Sequence, residues 1–229
     1  MATIDSVLRR SLEDRAGSLI LTLDPAFQGL PDTAHGGSVL AAFDALAGLH
    51  GPRQVAGVYR KRVPLGTPLA LAVGNINGAH TFVLSEGDSI LVDGRVAPAA
   101  DGRPAPRAPS STTLATGPTA DVSGASRPAT PRSYGSPSGP GARAGHPLPV
   151  SRTCFACGVE NSLGLRVQLT ADDDAVRATW APRAEFAVDD GSLATVALTT
   201  LLDEAAFWLG ALATGESGMT TELAVTLHK

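Results

Sequence analysis

The sequence is short of cysteines, aromatic residues and long apolar runs, and each shortage excludes a class of protein. Cys154 and Cys157 are its only cysteines among 229 residues, too few for a disulfide framework and typical of a cytoplasmic protein. No apolar run approaches the roughly 18 residues of a membrane span. The first 17 residues lack the apolar stretch of a secretory signal peptide. A net charge of −4 argues against a general nucleic-acid binder. We therefore expect a cytoplasmic protein without membrane or nucleic-acid partners.

The distribution of proline divides the sequence into three parts. Of the 17 prolines, 11 lie between Pro98 and Pro149, in a stretch that is also rich in Gly, Ser, Ala and Thr and has Tyr134 as its only aromatic residue. Such a segment cannot bury enough apolar surface to offset the entropy lost on ordering. We expect a disordered linker over 98–150 between two folded parts, 1–97 and 151–229.

Hydrophobic periodicity in the two flanking parts predicts an α+β protein. In the first part, a helix is predicted over 36–49, and strands over 18–23, 55–63, 69–75, 81–84 and 90–96. Residues 6–12 fit either a first strand or a short helix. In the second part, a helix is predicted over 194–212, and strands over 163–170, 175–180 and 222–227.

The two parts also share a repeated pattern. In the first, His35, Gly36 and Gly37 precede Asp44 on the predicted helix; in the second, Ala194, Thr195 and Val196 precede Asp203. The offset between the copies is 159 residues throughout. We infer that one module is present twice and has diverged.

Short motifs in both copies resemble those of a known family. They are Phe27-Gln28-Gly29, His35-Gly36-Gly37, Asp44 and 62–69 in the first copy, and Cys154-Phe155-Ala156-Cys157-Gly158, Asn161, Gly164-Leu165 and 202–205 in the second. Together they resemble the hotdog-fold acyl-CoA thioesterases of the phenylacetate-degradation type. The resemblance implies a long helix wrapped by an antiparallel sheet, in two tandem modules with active sites between them. The second module is incomplete, because the strands that follow Arg62 in the first have no counterpart after Lys229. That shortfall would leave the second helix partly uncovered and the sheet with an open edge.

The repeated motif could support acyl-transfer chemistry. Gly36 and Gly37 at a helix N-terminus have unpaired N–H groups that could bind the oxyanion formed from a thioester carbonyl. Asp44 and Asp203, each on an apolar helix face, could act as base or nucleophile. Alternatively, the glycines merely relieve crowding where strand meets helix, and the two carboxylates are buried and hydrogen-bonded to nearby backbone.

The resemblance further implies that the acid of one module faces the glycines of the other. Gly36 and Gly37 would then face Asp203, and His35 would orient the loop or the substrate, or merely contact backbone. The reverse pair, Asp44 with 194–196, lacks the glycines and the histidine. We expect at most one competent site.

Three further groups have weaker signals. Glu204 is expected to be a solvated neighbour of Asp203, although it could substitute for it. Arg60 and Arg62 could bind the phosphates of coenzyme A or could simply lie on an exposed strand face. Cys154 and Cys157 could suggest zinc, but a structural site usually needs four ligands and His146 is the only nearby histidine. We expect no metal and no cofactor.

The leading hypothesis is therefore hydrolysis of an acyl-CoA or acyl-carrier-protein thioester, in a protein that could form homo-oligomers through hotdog pairing. The alternative is a non-catalytic acyl-binding or assembly module that kept the fold and lost the site. A hotdog hydratase is a weaker third possibility, because the close Asp-to-His spacing of those enzymes is not seen.

Overall fold

The computed structural model describes residues 3–99, 145–172, 175–188, 190–216 and 218–228. All of them belong to one compact unit. Most of the predicted linker over 98–150 lies outside the described residues. The division into 1–97, 98–150 and 151–229 thus stays a prediction.

The described residues form three α-helices and two antiparallel sheets. The helices are α1 (Ile4–Arg10), α2 (Gly36–Ala47) and α3 (Thr195–Thr214). The strands of the large sheet are β1 (Leu12–Arg15), β2 (Ser18–Leu21), β3 (Arg53–Tyr59), β4 (Leu69–Ile76), β5 (Ala79–Glu86), β6 (Ser89–Pro98) and β10 (Glu222–Leu227). A small sheet contains β7 (His146–Pro147), β8 (Thr170–Ala171) and β9 (Val176–Arg177).

The large sheet joins the two halves of the sequence. Its strand order is β1-β2-β4-β5-β6-β3-β10, and every neighbouring pair is antiparallel. β10, from the second half, pairs with β3 along its length, with Val225 opposite Val55. Helix α2 packs against β3 and β6 and against α3. The predicted α+β class is confirmed, and the helix lies against the sheet as in a hotdog module.

Local sequence explains the hairpin and the core of the first half. Asn77 and Gly78 both have positive φ, 52° and 77°, and form the two-residue turn between β4 and β5 that Asn-Gly strongly favours. Phe43 of α2 stacks on Phe82 of β5, with ring centroids 4.9 Å apart, and both rings are buried. This contact fixes α2 on the sheet and thereby the position of its N-terminus.

Helices α2 and α3 approach so closely that their backbones touch. A Cβ added to Gly37 would lie 2.4 Å from the backbone nitrogen of Thr200. The Thr199 hydroxyl donates to the Gly37 carbonyl at 2.7 Å, so a hydrogen bond joins the helices at this point. The close approach places the N-terminus of α2 beside the first half of α3.

Replacing Gly37 by Ala is expected to destabilise the protein by about 1–3 kcal/mol, because the new methyl group meets backbone that cannot move aside. Urea unfolding followed by circular dichroism measures the change. Gly210→Ala is the matched control, since Gly210 lies on α3 with open space around its Cβ position. That variant should be about 0.5–1 kcal/mol more stable than wild type. Equal stability of Gly37→Ala and wild type would contradict the close approach.

The second half has less regular structure than its sequence pattern predicts. The strands predicted over 163–170 and 175–180 are wrong for most of their length. Around these two ranges the structure has only β8 and β9, and each is two residues long. Leu165 and Val167 do alternate toward the core, but their N–H groups donate to Phe155 and Ala156 in the cysteine-containing loop. This segment is extended against a loop rather than against another strand. Residues 6–12, left open between strand and helix, belong largely to α1.

One face of α3 is exposed. Leu202, Leu209 and Leu212 are each about half exposed, at 50%, 49% and 53%. Within the described part of the chain, β10 is the last strand of the sheet. By length and composition alone, α3 could cross a membrane. Its opposite face packs on α2 and buries Asp203 and Glu204.

Candidate active site

A short loop delivers His35 to the interior of the protein. A 3-10 turn at Pro25–Phe27 precedes it, and the His35 N–H donates to the Phe27 carbonyl at 2.8 Å. His35 then caps α2 with an extended backbone, and its side chain is only 4% exposed. The same structure recurs 159 residues later, where the Ala194 N–H donates to the Phe186 carbonyl, also at 2.8 Å. The two loops thus have the same backbone contact, and only the first presents an imidazole.

Asp203 of α3 meets this loop from the other half of the sequence. One of its carboxylate oxygens, Oδ2, lies 2.8 Å from His35 Nδ1 and accepts the Gly37 N–H at 3.0 Å. The other, Oδ1, accepts the Thr220 hydroxyl at 2.6 Å. The structure therefore brings together the histidine, the glycines and the acid that the sequence paired across the two halves. Their catalytic roles stay a prediction.

The two glycines have different surroundings. The Gly37 N–H is held by Asp203 and is not free for a ligand. Gly36 is the first residue of α2, so its N–H has no acceptor within the helix, and it lines a cavity. A Cβ at Gly36 would lie 2.8 Å from Asp203 Oδ2, so only glycine fits without displacing the acid. Of the two, Gly36 is the donor that a ligand could reach.

Glu204 does not occupy the solvated position expected from the sequence. It is 9% exposed, and its Oε2 lies 3.2 Å from His35 Nε2. Its Oε1 accepts the indole N–H of Trp208, one helical turn later, at 3.2 Å. The prediction was wrong because the loops containing His35 and Cys154 cover this side of α3 as well as the side that bears Asp203.

Buried charge dominates the electrostatics of this cluster. Burial disfavours a charged His35, but the carboxylates of Asp203 and Glu204 outweigh it and raise the pKa of His35 to about 10. Burial also acts against ionisation of the two acids, yet His35 and their hydrogen-bond donors lower the pKa of each. Burial and the charge of Asp203 raise the pKa of Tyr59, whose hydroxyl donates to the Gly36 carbonyl at 2.6 Å.

A cavity of about 160 Å³ opens onto the cluster. Its lining includes Gly36, Tyr59, Asp203 and Trp208. Among the sequence-predicted phosphate ligands, Arg62 also lines it and is exposed, as is its neighbour Lys61. Arg60 does not line the cavity and instead pairs with Asp93 on β6. The structure thus separates the two arginines that the sequence grouped together.

Asp44, the other predicted acid, is in a different environment. Its carboxylate accepts hydrogen bonds from Nε and Nη2 of Arg53, at 2.6 and 2.7 Å, in a bidentate ion pair. It also accepts the Thr195 hydroxyl at 2.7 Å. The pairing of Asp44 with 194–196 is therefore present, and Arg53 binds both oxygens of the carboxylate. Asp44, Arg53 and Thr195 line a second cavity. A catalytic role for Asp44 stays a prediction.

Cys154 and Cys157 lie at the same cavity as His35. Both side chains are buried, at 3% and 5% exposure, in a satellite cluster with Leu148, Ala156, Val167, Leu169 and Ala171. Each also lines the cavity. His146, the histidine nearest to them in sequence, is exposed on β7 and is not among the lining residues.

Sequence reasoning missed four residues that shape this region: Tyr59, Arg53, Trp208 and Thr220. Each lies on an element that was predicted or just beside one, and none belongs to a recognisable motif. The one available signal was Arg53, which follows the end of α2 and could have been expected near an acid on that helix. The others are placed by tertiary contacts.

The sequence matches no protein-family model and no curated protein. The structure does resemble solved structures. A tesB protein from Mycobacterium avium subsp. paratuberculosis matches with a TM-score of 0.50 at 14% identity, over 100% of this chain and 81% of that one. A protein assigned as thioesterase II from Thermobifida fusca has a TM-score of 0.48 at 15% identity, over 97% and 79%. A hot dog fold protein from Alicyclobacillus acidocaldarius has a TM-score of 0.42 at 10% identity, over 84% and 66%.

These likenesses concern the fold. The likeness to the tesB protein, with α2 packed on one antiparallel sheet and α3 packed on α2, supports the helix-on-sheet fold that the hotdog resemblance implies. The phenylacetate-degradation type and the cytoplasmic location stay predictions.

Proposed function

We propose that this protein hydrolyses the thioester bond of an acyl-CoA or acyl-carrier-protein substrate. One observation carries the proposal: the Gly36 amide at the N-terminus of α2 and the Asp203 carboxylate of α3 face the same cavity. A donor for a developing oxyanion and a base for water are the two groups that this reaction needs. The helix dipole of α2 adds partial positive charge where the oxyanion forms.

The proposed reaction proceeds in two steps. The thioester carbonyl oxygen accepts the Gly36 N–H, and Asp203 removes a proton from a water molecule as it attacks the carbonyl carbon. The resulting tetrahedral oxyanion is stabilised by the same amide. It then collapses with cleavage of the C–S bond, and the departing thiolate takes up the proton. His35 is a positioning residue, because its contact with Asp203 at 2.8 Å holds the carboxylate in place.

The cavity also limits the substrate. Its volume of about 160 Å³ is close to the roughly 150 Å³ of an apolar cavity that admits benzene. A short or single-ring acyl group fits this space. Lys61 and Arg62, exposed where they line the cavity, are suited to bind phosphates of coenzyme A or of a carrier's phosphopantetheine.

A second candidate function has an observation in its favour. Both oxygens of Asp203 are already hydrogen-bonded, one to Gly37 and one to Thr220. A carboxylate held in this way is a weaker base, so the site could bind an acyl thioester without hydrolysing it. This alternative is a non-catalytic acyl-binding module with the same cavity.

A panel of acyl-CoA esters with detection of the released thiol separates the two functions. We expect faster release from short and single-ring acyl groups than from long ones. The same acyl groups on N-acetylcysteamine, which lacks the phosphates, should show a higher KM if Lys61 and Arg62 bind them. Release no faster than in buffer, with measurable binding of the same esters by calorimetry, would favour the binding module. Neither release nor binding would refute both.

A further inference from the structure

Three side chains from distant parts of the sequence converge at the edge of the cavity. The ligand atoms of His35, Cys154 and Glu204 all lie within 4.8 Å of one another. Cys157 follows Cys154 by three residues in the same loop and lines the same cavity. Around a tetrahedral zinc ion, ligand atoms at about 2.0–2.3 Å from the metal stand about 3.3–3.8 Å apart. His35, Cys154 and Glu204 therefore need only small side-chain movements to share one ion, and Cys157 is the fourth potential ligand at the same cavity.

The loop that bears the two cysteines has a geometry suited to holding a metal. The Ala156 N–H donates to Cys154 Sγ at 3.3 Å, a bond that stabilises a thiolate. The Gly158 N–H donates to the Cys154 carbonyl at 2.9 Å and closes the turn that contains both cysteines. Two cysteines separated by two residues are the commonest spacing in structural zinc sites.

His35 and Glu204 are each oriented by a polar neighbour on the side away from the cluster. His35 Nδ1 lies 2.8 Å from Asp203, so the other ring nitrogen, Nε2, is the one that faces the cluster. A carboxylate behind a histidine is the usual arrangement in zinc sites, where it fixes the ring and raises its basicity. The indole N–H of Trp208 holds Glu204 Oε1 and leaves Oε2 directed toward the cluster.

We propose that Cys154, Cys157, His35 and Glu204 form a binding site for one zinc ion. Two sulfurs, one imidazole and one carboxylate suit zinc and not magnesium or calcium, which prefer oxygen ligands. Four protein ligands leave no open position, so the ion has a structural role. It would fasten the loop before α2 to the cysteine loop and to α3, which come from the two halves of the sequence.

This site goes beyond the proposed hydrolysis and does not depend on it. The sequence alone favoured no metal because His146 was the only histidine near the cysteine pair. The structure supplies His35 and Glu204 instead, from positions 119 residues before and 50 residues after Cys154. Zinc content can be measured whether or not the protein hydrolyses any thioester.

The experiment uses the full chain without a histidine tag, expressed with added zinc and dialysed. Elemental analysis should find one zinc per chain. After exchange into cobalt, the wild type should show a thiolate-to-cobalt charge-transfer band and the strong visible bands of a tetrahedral site. Cys154→Ser and Cys157→Ser should lose most of the zinc and weaken that band. His146→Ala, the matched control, should keep both. Asp203→Asn should weaken zinc affinity by about 10–100-fold, the usual effect of losing a group behind a ligand.

Several results would overturn the proposal. They are wild-type protein without zinc, a cobalt spectrum without the thiolate band, or equal zinc content in wild type and both cysteine variants. Quantitative formation of a Cys154–Cys157 disulfide in protein purified under reducing conditions would do so too. The cobalt spectrum of the wild type decides the matter even if a cysteine variant fails to fold, which circular dichroism would reveal.

Discussion

Asp203→Asn is expected to lower kcat for thioester hydrolysis by about 10²–10⁴-fold, the usual contribution of a general base. Asparagine keeps the shape of the side chain and can still accept the Gly37 N–H, but it cannot take a proton from water. The KM should change little, because the Gly36 amide and the cavity walls remain. Steady-state kinetics on the best ester of the panel measure both constants.

Asp44→Asn is the matched control for that experiment, because Asp44 occupies the corresponding position on α2. Its carboxylate is bound to Arg53 and Thr195, so its loss should leave kcat within a small factor of wild type at temperatures where the variant is folded. A large loss in Asp44→Asn with little in Asp203→Asn would reverse the assignment. The zinc content of each variant shows whether a lost metal, rather than a lost base, explains a lower rate.

Replacing Arg53 by Met is expected to destabilise the protein by about 3–5 kcal/mol, the cost of leaving a buried carboxylate without its partner. The Arg53 side chain is 13% exposed and that of Asp44 is 6% exposed, so water cannot readily solvate the Asp44 carboxylate in place of the guanidinium. Removing both charges, in Arg53→Met with Asp44→Asn, should recover much of the loss. Chemical unfolding of the wild type, both single variants and the double variant gives the coupling energy.

Arg60→Met provides the comparison for a surface ion pair. Arg60 pairs with Asp93, and their side chains are 57% and 35% exposed. Exposed pairs contribute about 0–1 kcal/mol, so this variant should unfold close to wild type. Equal effects at Arg53 and Arg60 would show that burial does not strengthen the Asp44 pair.

The elements that the sequence predicted well are those with a local cause. The periodicity of 36–49 and 194–212 identified α2 and α3 because each has one wide apolar face. The Asn77-Gly78 pair between β4 and β5 likewise has a local cause, because this pair favours a two-residue turn. The repeated offset between Asp44 and Asp203 was visible without any tertiary information, and the family resemblance then implied that Asp203 faces the loop of His35.

The elements that it predicted poorly depend on contacts between distant segments. Residues 163–170 alternate like a strand, but whether such a stretch joins a sheet depends on what lies beside it. Glu204 is buried by the loops that contain His35 and Cys154, which are both distant from it in sequence. The same limit hid the proposed metal ligands, because His35 and Cys154 are brought together by folding and by nothing in their local sequence.

The pairing of β10 with β3 has a consequence for the order of folding. Contacts within the first half, such as the β4–β5 hairpin, close short loops and are entropically cheap, whereas Val55 and Val225 lie far apart along the chain. The cavity exists only after α3 has docked on α2, so it is assembled among the last native contacts. A folding intermediate with most of its sheet formed would therefore still lack both Asp203 beside Gly36 and the complete set of zinc ligands.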